Sequence, residues 1–178
     1  MKVYTRKGDD GTTGALYGGR VAKDSPSVVA CGDADEAQAA IGIARAAAER
    51  GGELDVLLVR LQKELYVTMA ELATLPENRG KLTEGTSLVS GAMVTDLESL
   101  IDEYTARFDM PTEFVLPGEC ATAAGLDLAR TVVRRAERSA LDVHADGSHA
   151  GAYLNRLSDL LWTLARWQEG ESRVTKDS

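Results

Sequence analysis

Between residues 54 and 75 the apolar positions return at steps of three and four. Leu54, Leu57, Leu58, Leu61, Leu65, Met69 and Leu72 share one face, which predicts a helix there. Pro76 closes it, and 76–86 reads as a polar loop. A second stretch, about 88–107, places Met93, Leu97, Leu100, Ile101 and Tyr104 on one side. A third, about 120–142, alternates Leu126, Ala129, Val132, Val133, Ala136 and Ala140 with arginines. A fourth, about 151–168, turns Leu154, Leu157, Leu160, Leu161, Leu164 and Trp167 inward. Ahead of these, Asp33-Ala34-Asp35-Glu36 reads as a helix start, its carboxylates near the positive end of the dipole. Ala39, Ile41, Ile43 and Ala46-Ala47-Ala48 carry that helix to the stop at Gly51-Gly52.

What remains is loop. Residues 1–26 mix glycines, hydroxyls and charges, 108–118 hold two prolines around Phe114-Val115-Leu116, and 142–149 form a turn. The polar tail, 169–178, is expected to fray. With no internal repeat and no strand series, the pattern predicts one all-α domain. Its five-helix antiparallel bundle fills 27–168, behind an N-terminal loop over 1–26.

At 178 residues and 19.0 kDa the chain can bury a substantial core. Only 5% of residues are aromatic, so the core should be aliphatic. The net charge of −8 and pI near 4.8 supply no basic face for nucleic acid. No ~20-residue apolar span and no signal-peptide pattern occur, so the expectation is a cytoplasmic protein with no membrane partner. Cys31 and Cys120 are then free thiols. His144 and His149 lack the company of a zinc site, and no metal-ligand set is expected.

Two places change the picture chemically. In Tyr4-Thr5-Arg6-Lys7-Gly8-Asp9-Asp10-Gly11-Thr12-Thr13-Gly14, glycines admit backbone N–H groups close to a ligand. Thr5, Thr12 and Thr13 add hydroxyls, and Arg6, Lys7 and Lys23 add charge, the groups that hold phosphate oxygens. A flexible glycine-rich arm is the alternative. In the helix over 120–142 Arg130, Arg134 and Arg138 stand at i, i+4 and i+8 on one face, with Glu137 beside Arg134. Like charges so spaced repel, and either a solvated face or an anionic ligand explains them. Asn155 and Asp159 share a face of the last helix, as a nucleoside reader or as a polar network between helices.

Three segments in order resemble the PduO-type ATP:cob(I)alamin adenosyltransferases. They are the N-terminal motif with Gly18-Gly19-Arg20-Val21-Ala22-Lys23-Asp24, the run from Phe114-Val115-Leu116-Pro117-Gly118 to Arg134-Arg135-Ala136-Glu137-Arg138, and Tyr153-Leu154-Asn155-Arg156-Leu157-Ser158-Asp159-Leu160-Leu161-Trp162. The resemblance implies a homotrimer whose active sites lie between subunits and transfer the 5′-deoxyadenosyl group of ATP to the cobalt of a corrinoid. It implies that Thr5, Arg6, Gly8, Asp9, Gly11, Thr12, Thr13 and Lys23 wrap ATP. Arg134 holds phosphate with Glu137 and Arg138 near it, and Asn155 touches the nucleoside. Asp35 pairs with Arg130 across the interface, and Phe114 lies under the corrin. Magnesium rides on the phosphates, cobalamin is a substrate, and a flavin reductase and an adenosylcobalamin-dependent enzyme are the implied partners. The chain departs from the family pattern at Lys7, at Glu36-Ala37-Gln38-Ala39 and at Glu119-Cys120, the last placing a carboxylate beside the corrin pocket. The competing readings are a non-catalytic ATP or adenosylcobalamin carrier of the same fold, and a structural bundle docking an acidic protein.

Overall fold

The computed structural model describes residues 2–143 and 145–175, so His144 and the end of the expected tail lie outside the described residues. Five α-helices carry the fold: α1 (Pro26–Ala47), α2 (Glu53–Leu72), α3 (Gly91–Thr105), α4 (Ala121–Ala140) and α5 (Ala150–Glu169). A short 3-10 turn occupies Pro76–Lys81, where a plain loop is expected. The first helix begins seven residues before the predicted Asp33. Ser25 sits at its N-cap in extended geometry, and Pro26 takes the first turn, where its missing N–H leaves nothing unpaired. Pro26 and the internal Gly32 disguise this turn in the sequence.

Residues 2–26 are also more ordered than a loop. Strands β1 (Thr12–Gly14) and β2 (Arg20–Ala22) pair antiparallel, with Thr13 opposite Val21. Three residues each are too short for a pattern of period two to be read.

Side-chain contacts fix the order of helices around the core as α2, α1, α4, α5, α3 and back to α2. Gln38 meets Gln62 and Arg45 meets Asp55, so α1 and α2 run antiparallel. Thr122 bonds Ala47 while Arg135 reaches Asp33, so α1 and α4 do as well. Asp127 with Arg166, and Glu137 with Asn155, set α4 against α5 in the same way. The α3 helix opposes α2 through Asp96–Arg60 and Tyr104–Glu53. It then runs parallel to α5, because Glu98 meets Arg156 and Tyr104 meets Trp167. A closed ring of five cannot alternate throughout, so one neighbouring pair must be parallel.

The core is aliphatic, as composition predicts, with Leu58, Leu61, Leu65, Leu97, Leu126, Leu157 and Leu161 fully buried. The tightest seam joins α1 to α4. Ala30, Ala34, Ala37 and Ala44 face Ala129, Ala136 and Gly125, whose absent Cβ would lie 2.8 Å from the Ala44 Cα. Small residues on both sides bring these helices close, and α1 thereby carries its outer face, with Asp35, toward the hairpin.

Candidate functional site

The hairpin is pinned to the end of α2, where the Leu16 N–H donates to the Ala73 carbonyl (3.0 Å) and Asn78 donates to Gly18 (3.4 Å). The turn that leads into β1, at the open end of the hairpin, is organised by Asp10. That carboxylate accepts from the Thr12 N–H (2.9 Å) and hydroxyl (2.8 Å), and the Arg20 guanidinium stands 3.5 Å away. The Thr12 side-chain and backbone donors, with Arg20 beside them, hold the Asp10 carboxyl below its ordinary range. Arg20 also donates to the Lys7 carbonyl (2.6 Å), closing the turn over residues 7–12. Gly11 has φ +79°, which glycine adopts without strain, and its carbonyl accepts from Lys23 (2.9 Å). At Gly8 a Cβ would come within 3.1 Å of the Lys23 ammonium, so glycine lets that cation close in on the turn. Gly8, Asp9, Gly11, Thr12, Thr13 and Lys23 thus lie in this hairpin or the turn that leads into it, and Thr5 and Arg6 stand on the exposed arm just before that turn. Asp10 and Arg20 organise them and are missing from the expected set. The Asp-Gly pair at 10–11 is a turn signature that could have found the first.

Between the hairpin and the α1–α2 face lies a cavity of about 540 Å³. Thr13, Leu16, Val28, Asp35, Tyr66 and Met69 contribute to its wall. It falls within the size range of small-molecule sites, and its lining is mainly apolar, suited to a flat ring. Cys31 also lines it, but burial, and then the Asp35 charge, push its thiol above the ordinary value and leave it a poor nucleophile.

A second cluster stands on α4 and α5. The Glu137 carboxylate accepts from the Asn155 amide (2.9 Å) and lies 4.0 Å from Arg134. Arg134 keeps 48% of its side chain exposed, so an anion can reach it. Arg138 follows one turn on and is exposed. The α5 polar set is a network as well: Arg156 bonds Asn155, Asp159 (3.2 Å) and Glu98 (3.1 Å). Arg135 is not on the stripe and crosses to Asp33 and Glu36 on α1.

Arg130 is held from behind. Its Nε lies 3.3 Å from Asp127, whose other oxygen accepts from Arg166 (2.6 Å). Arg166 is 1% exposed and also faces Glu169 at 2.6 Å, so two carboxylates compensate a cation that would be costly to bury alone. Asp35 and Arg130 are not joined within one chain: Asp35 lines the hairpin cavity and Arg130 pairs with Asp127 on its own helix.

Phe114 is 85% exposed on the segment between α3 and α4. With Thr112, Glu113, Val115 and Trp162 it lines a hollow of about 560 Å³, and Trp162 also walls a neighbouring hollow with Ile101, Met110 and Asp159. Trp162, the last residue of the third matching segment, is a second aromatic here, to which the sequence reading gave no role of its own. The tail does not fray over its described part. Val115 and Val174 form an antiparallel bridge, Leu116 donates to Arg173 (2.8 Å) and Thr175 donates to Phe114 (2.9 Å). Glu119 lies 3.3 Å from Arg173 of this tail, so its carboxylate has a cation partner there. The other departures have partners too: Glu36 meets Arg135, and Gln38 exchanges bonds with Gln62.

Comparison with known proteins points one way. The family model for cobalamin adenosyltransferase matches residues 3–168. A corrinoid adenosyltransferase of Mycobacterium tuberculosis is 42% identical, over 97% of this chain and 96% of that protein. The corrinoid adenosyltransferase PduO of Salmonella typhimurium is 37% identical over 97% of this chain, which spans 51% of that longer protein. Among solved structures, a variant PduO-type ATP:corrinoid adenosyltransferase from Lactobacillus reuteri complexed with cobalamin and ATP superposes with TM-score 0.86 at 27% identity, covering 99% of this chain and 97% of that one.

Proposed function

The chain belongs to the cobalamin adenosyltransferase family and is an ATP-dependent corrinoid adenosyltransferase; we propose that its active sites form between the copies of a homotrimer. In each, the hairpin of one copy and the α4–α5 cluster of the next close on one ATP. The observation that carries this is the separation of the two clusters. The hairpin is bound to the end of α2, whereas Arg134, Glu137 and Asn155 are bound to one another on α4 and α5. Each has the groups for half of a nucleotide, and α1 stands between them. Val29, Ile43, Leu128 and Leu141 are exposed apolar residues on α1 and at α4, a surface that a second copy would cover. Asp35 and Arg130, apart in one chain, would then meet across the contact.

Cobalt in cob(I)alamin carries a lone pair and is itself the nucleophile. It attacks C5′ of ATP, the C5′–O bond breaks, and triphosphate leaves with the bonding pair. The protein needs no nucleophile of its own. It must hold C5′ in line with cobalt and stabilise charge on the leaving oxygens. Thr5, Arg6, Gly8, Asp9, Gly11, Thr12, Thr13 and Lys23 would wrap the triphosphate, and Arg134 with Arg138 would face it from the next copy. Glu137 orients Asn155 toward the nucleoside, and the mainly apolar cavity beside the hairpin suits the adenine ring. Magnesium would arrive on the phosphates and offset their charge, since among the described residues no group of three or more His, Cys, Asp or Glu could hold a metal. Phe114, exposed beside Trp162, would cover the lower face of the corrin, displace the axial ligand and make cobalt(II) easier to reduce. Two free thiols accord with a reducing, cytoplasmic setting.

The test is anaerobic mixing of cob(I)alamin, ATP and Mg²⁺ with the protein. The light-sensitive spectrum of adenosylcobalamin should appear with release of triphosphate. A trace indistinguishable from a protein-free control would reject the reading.

A further inference from the structure

We infer that the C-terminal segment 173–175 is a positioning strap for Phe114, and that through this ring it governs how readily bound cobalt(II) loses its lower ligand. The inference rests on the reading of Phe114 given above. An aromatic ring that is 85% exposed has almost no packing of its own to fix it. It projects from a segment without regular structure between Thr105 and Ala121. What orders its backbone is the tail. The Phe114 carbonyl accepts from Thr175, Val115 lies opposite Val174, and Leu116 donates to Arg173. Glu119 then holds the Arg173 side chain, and the far end of the segment is anchored where the Cys120 Sγ stands 3.8 Å from the Gln168 carbonyl. These contacts follow the loop from the ring to the start of α4.

The elements of the strap differ in weight. The Glu119–Arg173 pair is largely exposed, 66% on the arginine side, and exposed pairs contribute little. The backbone bonds bracket Phe114 and Leu116 directly and carry most of the positioning. Without them the ring still exists but samples more orientations, and fewer of these cover cobalt. The cost should fall on the step that needs the lower face covered, which is reduction of cobalt(II). It should spare the attack of cobalt(I) already formed.

Thr175→Pro removes the N–H that donates to Phe114. It asks Val174 only for the extended backbone that its bridge already has. Thr175→Ala keeps the N–H and is the control. In the full chain, Thr175→Pro should lower the rate from cob(II)alamin plus reductant by about five-fold, the population equivalent of roughly one hydrogen bond. The rate from cob(I)alamin, the KM for ATP and the melting temperature should match those of the unsubstituted protein and of Thr175→Ala. The visible spectrum of bound cob(II)alamin should show less of the form lacking its lower ligand. An equal fall in both rates, or no fall in either, overturns the strap. Absence of adenosylation by the unsubstituted protein would instead overturn the proposed function.

Discussion

One oxygen of Asp10 receives both Thr12 donors and faces Arg20, so an exposed side chain sets the shape of the turn that presents Gly8, Gly11 and Thr12. Its pKa is lowered in the folded chain, so the carboxylate's contribution to the hairpin is present at neutral pH. It is lost only as pH falls below the ordinary carboxylate range. Asp10→Ala should therefore raise the KM for ATP several-fold at pH 7 while kcat from cob(I)alamin stays near its original value. An unchanged KM in steady-state assays would separate the turn from nucleotide binding. The Gly and Thr positions of this motif are legible in the sequence because their chemistry is local. Arg20 is not: its role depends on a hairpin that brings residues 7, 12 and 20 together, and three-residue strands leave no pattern. The partner of Glu119 is hidden for a similar reason, since it lies more than fifty residues away on a tail whose composition suggests fraying.

At the scale of elements, periodicity finds all five helices because each buries one continuous apolar face. It misplaces the start of α1 because small residues such as Ala30 and Ala34 give a weak apolar signal beside Pro26 and Gly32. The α1–α4 seam itself depends on that smallness. Gly125→Ala sets two effects against each other. Replacing a helical glycine gains up to about 1 kcal/mol of propensity. A methyl 2.8 Å from the Ala44 Cα and 3.0 Å from its nitrogen meets backbone, which yields only if the helices part. Overpacking of this kind costs roughly 1–3 kcal/mol, so the clash should prevail. A fall of about 2–8 °C in melting temperature is expected for a chain of this size. An unchanged or higher Tm in a thermal melt would mean the seam opens freely. Because the seam also positions Asp35, catalytic loss in this variant should accompany the loss of stability.

For the whole molecule, the sequence lists the two clusters proposed as halves of a nucleotide site yet cannot say that they stand apart on the fold. That fact depends on the order of helices around the core, which follows from pairs such as Asp33–Arg135 and Asp127–Arg166 that no spacing rule reveals. If a site takes its hairpin from one copy and its arginines from the next, two inactive variants can repair each other. Lys23→Ala damages only the hairpin half and Arg134→Ala only the α4 half. In mixed trimers made by co-expression at equal levels, a site is intact when an Arg134→Ala copy supplies the hairpin and a Lys23→Ala copy supplies the arginine. Random assembly makes about one site in four intact. Co-expressed protein should therefore recover about a quarter of the unsubstituted activity, whereas separately purified variants mixed without subunit exchange should recover none. Activity no greater than the parents' average, in mixed trimers verified by mass, would place both halves of each site in a single chain.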